Sequence, residues 1–325
     1  MYRPLTIEES NSVILRREAV AQGYDDRAIR RMVRSGLWKK VRHGAYAISE
    51  VWDAVSPQDQ HRLLARAVLR TAHGSSVLSH VSAAVEWGAP TWGIDLGWVH
   101  LTRGDGQTSR RQSGVVRHSG VLSAADVLVH EGVSLTSGCR AALEVTTVAA
   151  VEPALVVVNG LLRAGATTKS ELEKAMPLFE HWPNSLTARL VVGLADARLS
   201  SAGESRLFHL CWKAGLPLPV PQVLVEGLED WFTAFVDFAW PELGVFMEFD
   251  GREKYERYRR KGETLEQFLL REKRREELIC QLTGWICIRI TWADLERPVQ
   301  TAARIRNLLA TRGRLVGTST TQPGA

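Results

Sequence analysis

Residues 236–251 have the sequence VDFAWPELGVFMEFDG, in which two apolar runs flank the tetrapeptide Pro-Glu-Leu-Gly. Apolar runs on both sides of a turn that contains proline and glycine predict a β-hairpin. If residues 241–244 form the loop, Trp240 pairs with Val245, and this pair sets the register of the two strands. The register in turn predicts which side chains share a face of the sheet.

Three acidic residues of this hairpin are expected on one face. Counting outward from the Trp240–Val245 pair places Asp237 opposite Glu248, with Cβ atoms roughly 5 Å apart. Asp250, two residues past Glu248, points to the same face. Burying carboxylates together is costly unless a cation neutralises them, and such ligands suit Mg²⁺ or Mn²⁺. We therefore expect a metal ion bound by Asp237 and Glu248; the alternative is that these acids lie at strand ends in solvent.

Length and composition favour a soluble protein of several domains. With 325 residues, the chain is too long for one typical core, so two or three domains are expected. An apolar fraction of 45% and a charged fraction of 24% are typical of globular proteins. The sequence has no run of 18 apolar residues and no signal-peptide core. We expect a cytoplasmic protein with no membrane partner, whose four cysteines are reduced.

Residues 13–48 predict a winged helix-turn-helix. A short helix over residues 13–21 precedes a second helix, which an aspartate caps and a Ser-Gly pair ends. Two short runs around a His-Gly turn then predict a hairpin, the wing.

Positive charge is concentrated on the second helix and on the wing. Between residues 27 and 49 there are seven basic residues and no acidic residue. Four of the seven recur at i, i+3, i+4 and i+7, which is one face of a helix. A winged helix places these two elements against double-stranded DNA, although a solvated basic face is the alternative. The expected DNA contacts are Arg27, Arg30, Arg31, Arg34, Lys39, Lys40 and Arg42.

The segment RRMVRSGLWKKVRHGAY, residues 30–46, resembles the winged-helix domain of AbiEi-type antitoxins from type IV toxin–antitoxin systems. Residues 53–176 resemble the middle domain that follows the winged helix in AbiEi-like proteins. The resemblance implies a DNA-binding regulator with a cognate toxin as a partner.

The middle region shows no catalytic arrangement. Short strands are expected over residues 99–102, 115–118 and 127–130. The spacings of its histidines match no zinc site, so we interpret them as ordinary half-buried or exposed residues. These histidines are His80, His100, His118 and His130.

The C-terminal region predicts the element order αβββαβα, which is that of the PD-(D/E)XK, or restriction-endonuclease-like, core. Its motifs resemble those of very-short-patch-repair (Vsr-like) endonucleases over nearly the whole domain. The motifs are Gly203-Glu204-Ser205, Gly215-Leu216-Pro217, Gln222, Val236-Asp237-Phe238, Glu248-Phe249-Asp250-Gly251, Lys254-Tyr255, Glu272-Lys273-Arg274-Arg275-Glu276, Gly284-Trp285 and Arg289. The resemblance implies Asp237 and Glu248 as ligands of Mg²⁺, Glu204 as a supporting acid on a helix, and Asp250 as the acid of a Glu-x-Asp-Gly turn.

Position 250 departs from the nuclease pattern, since an aspartate stands where a lysine is usual. Lys254 is the expected replacement, which would stabilise the transition state or position the attacking water. A basic run follows, which either contacts the DNA backbone or forms a charged loop. The run contains Arg252, Arg257, Arg259, Arg260 and Lys261.

The expected architecture is an α/β (α+β) multidomain protein. Its expected parts are a winged helix over 1–52, a mixed α/β middle domain over 53–176, a linker over 177–198, a nuclease-like domain over 199–312 and a disordered tail over 313–325.

Three functions are weighed for this architecture. The first is a Mg²⁺-dependent DNA endonuclease acting in a toxin–antitoxin, phage-defence or DNA-repair setting. The second is a non-catalytic antitoxin and transcriptional regulator with a degenerate nuclease fold, and the third is an RNA-directed nuclease. Glu204, Asp237 and Glu248 favour the first, whereas Asp250 and the antitoxin-like N-terminus favour the second. The sequence predicts no oligomeric state.

Overall fold

The computed structural model describes residues 12–105, 109–227, 232–251 and 259–319, with side chains up to residue 313. The chain divides after Ala195 into two compact units. Each unit contains helices and at least one sheet, with three separate sheets in the described residues, which confirms the predicted α+β multidomain fold class. Among the described residues, no helix is both long enough and apolar enough to cross a membrane.

The first unit begins with the predicted winged helix-turn-helix. Its three strands pair in the order β1-β3-β2, and two helices connect β1 to β2. The elements are β1 (Val13–Leu15), α1 (Arg16–Ala21), α2 (Asp26–Arg34), β2 (Trp38–Arg42) and β3 (Ala45–Ile48).

Residues 13–15, which were expected to begin the first helix, form a strand instead. Val13 pairs with Ala47 in the antiparallel ladder between β1 and β3. Val13 and Leu15 are buried and alternate with a half-buried isoleucine. A two-residue period of burial is that of a strand, so the helix begins only at Arg16.

A six-stranded mixed sheet follows in the same unit, in the order β6-β7-β5-β4-β9-β8. Its strands are β4 (Ser76–Leu78), β5 (Val99–Arg103), β6 (Arg110–Gln112), β7 (Val115–Ser119), β8 (Val127–His130) and β9 (Val133–Thr136). The accompanying helices are α3 (Ser49–Ala54), α4 (Pro57–Thr71), α5 (His80–Glu86), α6 (Gly138–Val148), α7 (Val151–Arg163), α8 (Lys169–Ala175) and α9 (Ser185–Leu194), with short 3-10 helices at Ala124–Asp126 and Met176–Phe179. The three strands expected in this region are β5, β7 and β8.

Residues 177–198, expected to form a linker or a short connecting helix, contain helix α9. The helix packs against α6 and α7 and buries four apolar side chains. Pro177 and Pro183 precede the helix and so do not interrupt it. The buried residues of α9 are Ala188, Val191, Val192 and Leu194.

The second unit is built on one four-stranded sheet, in the order β10-β11-β12-β13. Its elements are α10 (Ala202–Lys213), β10 (Val220–Glu226), β11 (Thr233–Trp240), a 3-10 turn at Pro241–Leu243, β12 (Val245–Asp250), α11 (Leu265–Thr283), β13 (Ile286–Thr291), α12 (Trp292–Leu295) and α13 (Pro298–Ser319). The predicted order αβββαβα is observed, with short α12 before the last helix. The predicted pairing of Trp240 with Val245 is confirmed, and β12 lies parallel to β13.

Gly203 lets helix α10 lie against the sheet. A β-carbon at this position would lie 2.0 Å from Cε1 of Phe249, a side chain that is fully buried. Because a packed core yields little to added atoms, we expect Gly203→Ala to lower the free energy of unfolding by about 2 kcal/mol. Differential scanning calorimetry of the full chain measures the loss.

Gly313→Ala is the matched control, because this glycine also lies in a helix of the second unit. A β-carbon there would lie 3.8 Å from Cδ2 of Leu243, an ordinary contact. Alanine favours a helix over glycine by about 0.5–1 kcal/mol, so this variant should be as stable as the wild type or more stable. Equal destabilisation by both substitutions would contradict the close approach at Gly203.

Candidate functional site

Helix α2 presents one arginine-rich face to solvent. The opposite face is anchored by Ile29, which is buried. Asp26, the acid that lies in this helix, forms an ion pair with Arg16 at 2.8 Å. Within the part of the chain that the structure describes, no carboxylate forms an ion pair with the exposed arginines of α2, so their charge is available to a ligand. These arginines are Arg27, Arg30, Arg31 and Arg34.

Helix α2 packs on the hairpin through Ile29, which shares a core cluster with Trp38. Trp38 is buried, and its ring centroid lies 5.1 Å from that of Tyr24 and 6.0 Å from that of Tyr46. The side chain of Asp25 accepts a hydrogen bond from the backbone N–H of Ala28 and caps the helix. The helix that carries the arginine face is therefore packed against the hairpin and capped at its N-terminus.

The wing carries the remaining predicted DNA contacts. Lys39 and Lys40 are exposed, and Lys39 forms an ion pair with Asp53. Arg42 is half-buried; burial and the nearby charge of Arg117 both lower its pKa. Positive charge thus continues from the wing to strand β7 of the six-stranded sheet.

Two acids of the second unit lie just beyond the β11–β12 ladder. The ladder ends at the pair Phe238–Met247, and Asp237 and Glu248 are the next residues outward on the two strands. Glu248 pairs in turn with Arg289 on the parallel strand β13. Asp237 is 8% exposed and Glu248 is 3% exposed, so both carboxylates need partners inside the protein.

All three acids on this face have such partners. Asp237 accepts a hydrogen bond of 2.8 Å from a backbone N–H of β12. Glu248 accepts one of 2.9 Å from Nη2 of Arg275. Asp250 accepts two, of 2.8 and 2.9 Å, from Nη1 of Arg289. Charge-assisted bonds of this length are among the stronger interactions in proteins.

Two acids of helix α11 also pair with these arginines, of which Arg275 lies on the same helix and Arg289 on β13. Glu272 accepts a hydrogen bond from Arg275 at 3.1 Å, and Glu276 accepts one from Arg289 at 2.6 Å. Burial lowers the pKa of Arg275, but the charges of Glu248 and Glu272 outweigh burial and raise it. The four residues line a cleft of about 280 Å³ together with Glu248 and Asp250, but Asp237 does not line it.

As arranged, these residues do not fit a bound Mg²⁺ ion. No three carboxylates among the described residues bring one oxygen each within 4.8 Å of one another. A cation at Glu248 would have to displace Arg275, and one at Asp250 would have to displace Arg289. The expected metal ion at Asp237 and Glu248 stays a prediction.

Glu204 stabilises the start of helix α10. Its carboxylate is fully buried and accepts hydrogen bonds from the backbone N–H and hydroxyl of Ser200, at 2.9 and 2.7 Å. The hydroxyl of Ser201, the N-cap residue, donates at 2.9 Å. Nε2 of Gln222 donates at 3.3 Å. The carboxylate of Glu204 therefore helps to cap the N-terminus of helix α10, where the helix dipole favours a negative charge.

Lys254, the expected replacement for the missing lysine, lies outside the described residues, as do Arg252 and Arg257. Arg259, Arg260 and Lys261 are exposed. The roles expected for this basic run in catalysis and in DNA contact stay predictions.

Three of the four histidines of the middle region come together, and two of them, His80 and His100, are buried, whereas half-buried or exposed residues were expected. Nδ1 of His100 lies 2.9 Å from Nε2 of His118, and the rings of His80 and His118 stack with centroids 3.6 Å apart. His130 lies elsewhere, against Trp87. Sequence spacing could not show this cluster, because it depends on the parallel pairing of β5 with β7.

Known proteins match both the N-terminus and most of the chain. The AbiEi_4 family model, described as a transcriptional regulator, AbiEi antitoxin, matches residues 3–49. Two Mycobacterium tuberculosis proteins, Rv2248 of strain H37Rv and MT2308 of strain CDC 1551, are described as uncharacterized. Each is 30% identical over 288 residues, which cover 88% of this chain and 97% of the relative.

One solved structure, that of the RV2827C protein from Mycobacterium tuberculosis, aligns over 70% of this chain and 87% of its own. The sequence identity is 15% and the TM-score is 0.37, a likeness too weak to establish a common fold.

Proposed function

We propose that this chain, which belongs to the same family as the mycobacterial proteins Rv2248 and MT2308, is a DNA-binding transcriptional regulator of the antitoxin type. The match of its N-terminus to the antitoxin family model supports this proposal. The observation that carries the proposal is the exposed arginine face of α2, set on the second helix of a winged helix-turn-helix. A helix in this position is the one that enters the major groove of DNA.

Electrostatics supports the same proposal. Arginines with no ion pair within the described residues can neutralise phosphates, and each contact releases counterions from the DNA. The wing adds Lys40 and, two residues further along the same strand, Arg42. Most of the binding energy should then depend on salt, while a smaller set of base contacts gives specificity.

The DNA-binding surface is proposed to extend beyond the winged helix. Arg42 lies near Arg117 of strand β7. Arg117 lines a cleft of about 410 Å³ together with Arg103 and Arg110. Phosphates that flank the site of α2 are the ligands that such a basic cleft would accept.

A regulator must discriminate between DNA sequences, and competition binding tests this. The full chain is titrated against a labelled duplex from the region upstream of its own gene, with unlabelled specific or scrambled duplex as competitor. We expect the scrambled duplex to compete at least tenfold less well, since specific sites commonly exceed non-specific DNA by more than that. Equal competition by both duplexes would contradict a regulator that acts at its own promoter.

The antitoxin family also implies a second partner, a cognate toxin protein. The match of residues 3–49 to a family described as an antitoxin supports such a partner. Co-purification with the product of a neighbouring gene is the direct test, and its outcome is independent of DNA binding.

Metal-dependent DNA cleavage is the second candidate function. The opposed pair Asp237 and Glu248 and the order αβββαβα favour it. The ion pair between Glu248 and Arg275 weighs against it, because it occupies a carboxylate that the reaction would need.

We expect the purified chain to bind supercoiled plasmid without nicking it in the presence of Mg²⁺ or Mn²⁺. The physical reason is that internal arginines already neutralise the acids that would hold the ion. Agarose gel electrophoresis measures conversion to the open circular form. If the wild type nicks the plasmid and Asp237→Asn does not, the chain is an endonuclease. If Asp237→Asn nicks the plasmid as well, the activity comes from a contaminating enzyme.

A further inference from the structure

The structure brings three imidazoles into one cluster on the six-stranded sheet and the helix beside it. His100 lies on β5, His118 on β7, and His80 is the first residue of helix α5. One ligand atom of each lies within 4.8 Å of those of the other two. We propose that His80, His100 and His118 bind a divalent transition-metal ion of the Zn²⁺ class.

The ligand chemistry selects this class of ion. Imidazole nitrogens suit Zn²⁺ and its neighbours in the first transition row, whereas Mg²⁺ and Ca²⁺ prefer oxygen. Three protein ligands leave one position of a tetrahedral zinc ion for water or another small ligand. The cluster therefore differs in kind from the carboxylates of the second unit.

The backbone at His80 has an unusual conformation. Its φ is +50°, the left-handed region that residues with a side chain rarely adopt. Such a conformation persists where the surroundings impose it, often at ligand sites. The ring of His80 stacks on that of His118, and an imidazole binds a metal ion in its own ring plane, so the ring of His80 must turn for both residues to bind the same ion.

Two polar groups near the cluster lack a hydrogen-bond partner among the described residues. These are Oγ1 of Thr102 and Nη2 of Arg140, both buried. Thr102 pairs with His118 across the β5–β7 ladder, so it shares a face with both strand histidines. A β-carbon on Gly120 would lie within 4 Å of both Thr102 and Arg140, so the two residues are neighbours. A metal-bound water, which donates hydrogen bonds, is a group that would satisfy Oγ1 of Thr102.

The charge around the cluster is compatible with a divalent ion. Arg140 is compensated by Glu144 at 2.9 Å and by Asp126 at 3.0 Å. The fully buried Glu144 also accepts a hydrogen bond of 3.0 Å from the backbone N–H of His80. Nδ1 of His80 lies 3.0 Å from the hydroxyl of Ser79, which leaves Nε2 for a metal. A metal-binding imidazole is commonly oriented by a bond at its other nitrogen.

The cluster is also within reach of solvent. His100 lines an open cleft of about 460 Å³, through which an ion can enter.

Spectroscopic titration of the full chain tests the proposal. Protein freed of metal with a chelator is titrated with Co²⁺, whose visible absorption reports nitrogen coordination, and then with Zn²⁺. We expect saturation at one Co²⁺ per chain, displacement by Zn²⁺, and a higher unfolding temperature with Zn²⁺, because the ion binds only the folded state. A wild-type chain that binds neither ion saturably would overturn the proposal, and this result needs no variant.

Variants then locate the site. His100→Gln and His118→Gln should each weaken Co²⁺ binding by roughly 100-fold or more, since even the groups that orient metal ligands matter by 10–100-fold. His130→Gln is the matched control, because His130 lies on the same sheet but outside the cluster, and it should bind as the wild type does. Equal Co²⁺ affinity in all three variants would place the ion elsewhere and overturn the proposal.

Discussion

The double variant Arg30→Glu/Arg31→Glu should lose duplex DNA binding by at least 100-fold at physiological salt. Both side chains are exposed on helix α2, and neither forms an ion pair within the described residues. The substitution removes two positive charges and adds two negative ones, so attraction to phosphates becomes repulsion. For comparison, a protein that makes six to ten phosphate contacts loses roughly 10³–10⁵ in DNA affinity when the salt concentration rises fourfold, because its phosphate contacts weaken. Reversing two of the contacting charges acts on the same contacts, so we expect a loss of at least 100-fold. Fluorescence anisotropy with a labelled duplex measures it.

The control is Arg163→Glu/Lys174→Glu, which changes the net charge by the same amount. Both residues are exposed and lie in the first unit, on helices outside the winged helix. We expect this control to bind within a few-fold of the wild type. Equal losses in the two double variants would mean that overall charge, and not the face of α2, governs binding.

Arg275→Met should lower the free energy of unfolding of the second unit by about 3 kcal/mol, since removal of one partner of a buried ion pair is strongly destabilising. The Glu248 side chain is 4% exposed and that of Arg275 is 24% exposed, with 2.9 Å between their charged atoms. Urea unfolding followed by tryptophan fluorescence measures the loss.

A double-mutant cycle separates structural pairing from metal binding. Adding Glu248→Gln to Arg275→Met removes the buried charge, and we expect a coupling energy of about 1–3 kcal/mol between the two positions. Mg²⁺ should leave the stability of Arg275→Met unchanged. If Mg²⁺ restores it, the carboxylates bind the ion once the arginine is gone, and the predicted metal site regains its support.

Local features of the sequence predicted much of the fold. The turn at 241–244 and the apolar runs beside it are contiguous, so the register of Trp240 with Val245 followed from counting. The arginines of α2 follow a helical period, and their exposure agrees with it. Residues 13–15 were misassigned, because a run of three apolar residues suits a helix or a strand and the pairing with β3 decides.

Long-range contacts account for what the sequence did not predict. Arg275 lies 27 residues from Glu248, and Arg289 lies 39 residues from Asp250. Both contacts depend on how α11 and β13 return to the sheet. Because the sequence alone does not place these arginines beside the acids, three acids on one face of the sheet predicted a metal ion. The histidine cluster went unrecognised for the same reason, since its members lie on a helix and two strands brought together by tertiary structure.

The salt dependence of wild-type binding to a duplex tests the central claim most directly. For a regulator that binds DNA through the arginine face of α2 and the wing, log Kd should rise linearly with the logarithm of salt concentration. Each phosphate contributes a slope of about 0.9, so four or more contacts predict a slope of about 3.6 or more. A slope near zero, or the same slope in Arg30→Glu/Arg31→Glu as in the wild type, would contradict DNA binding through this face.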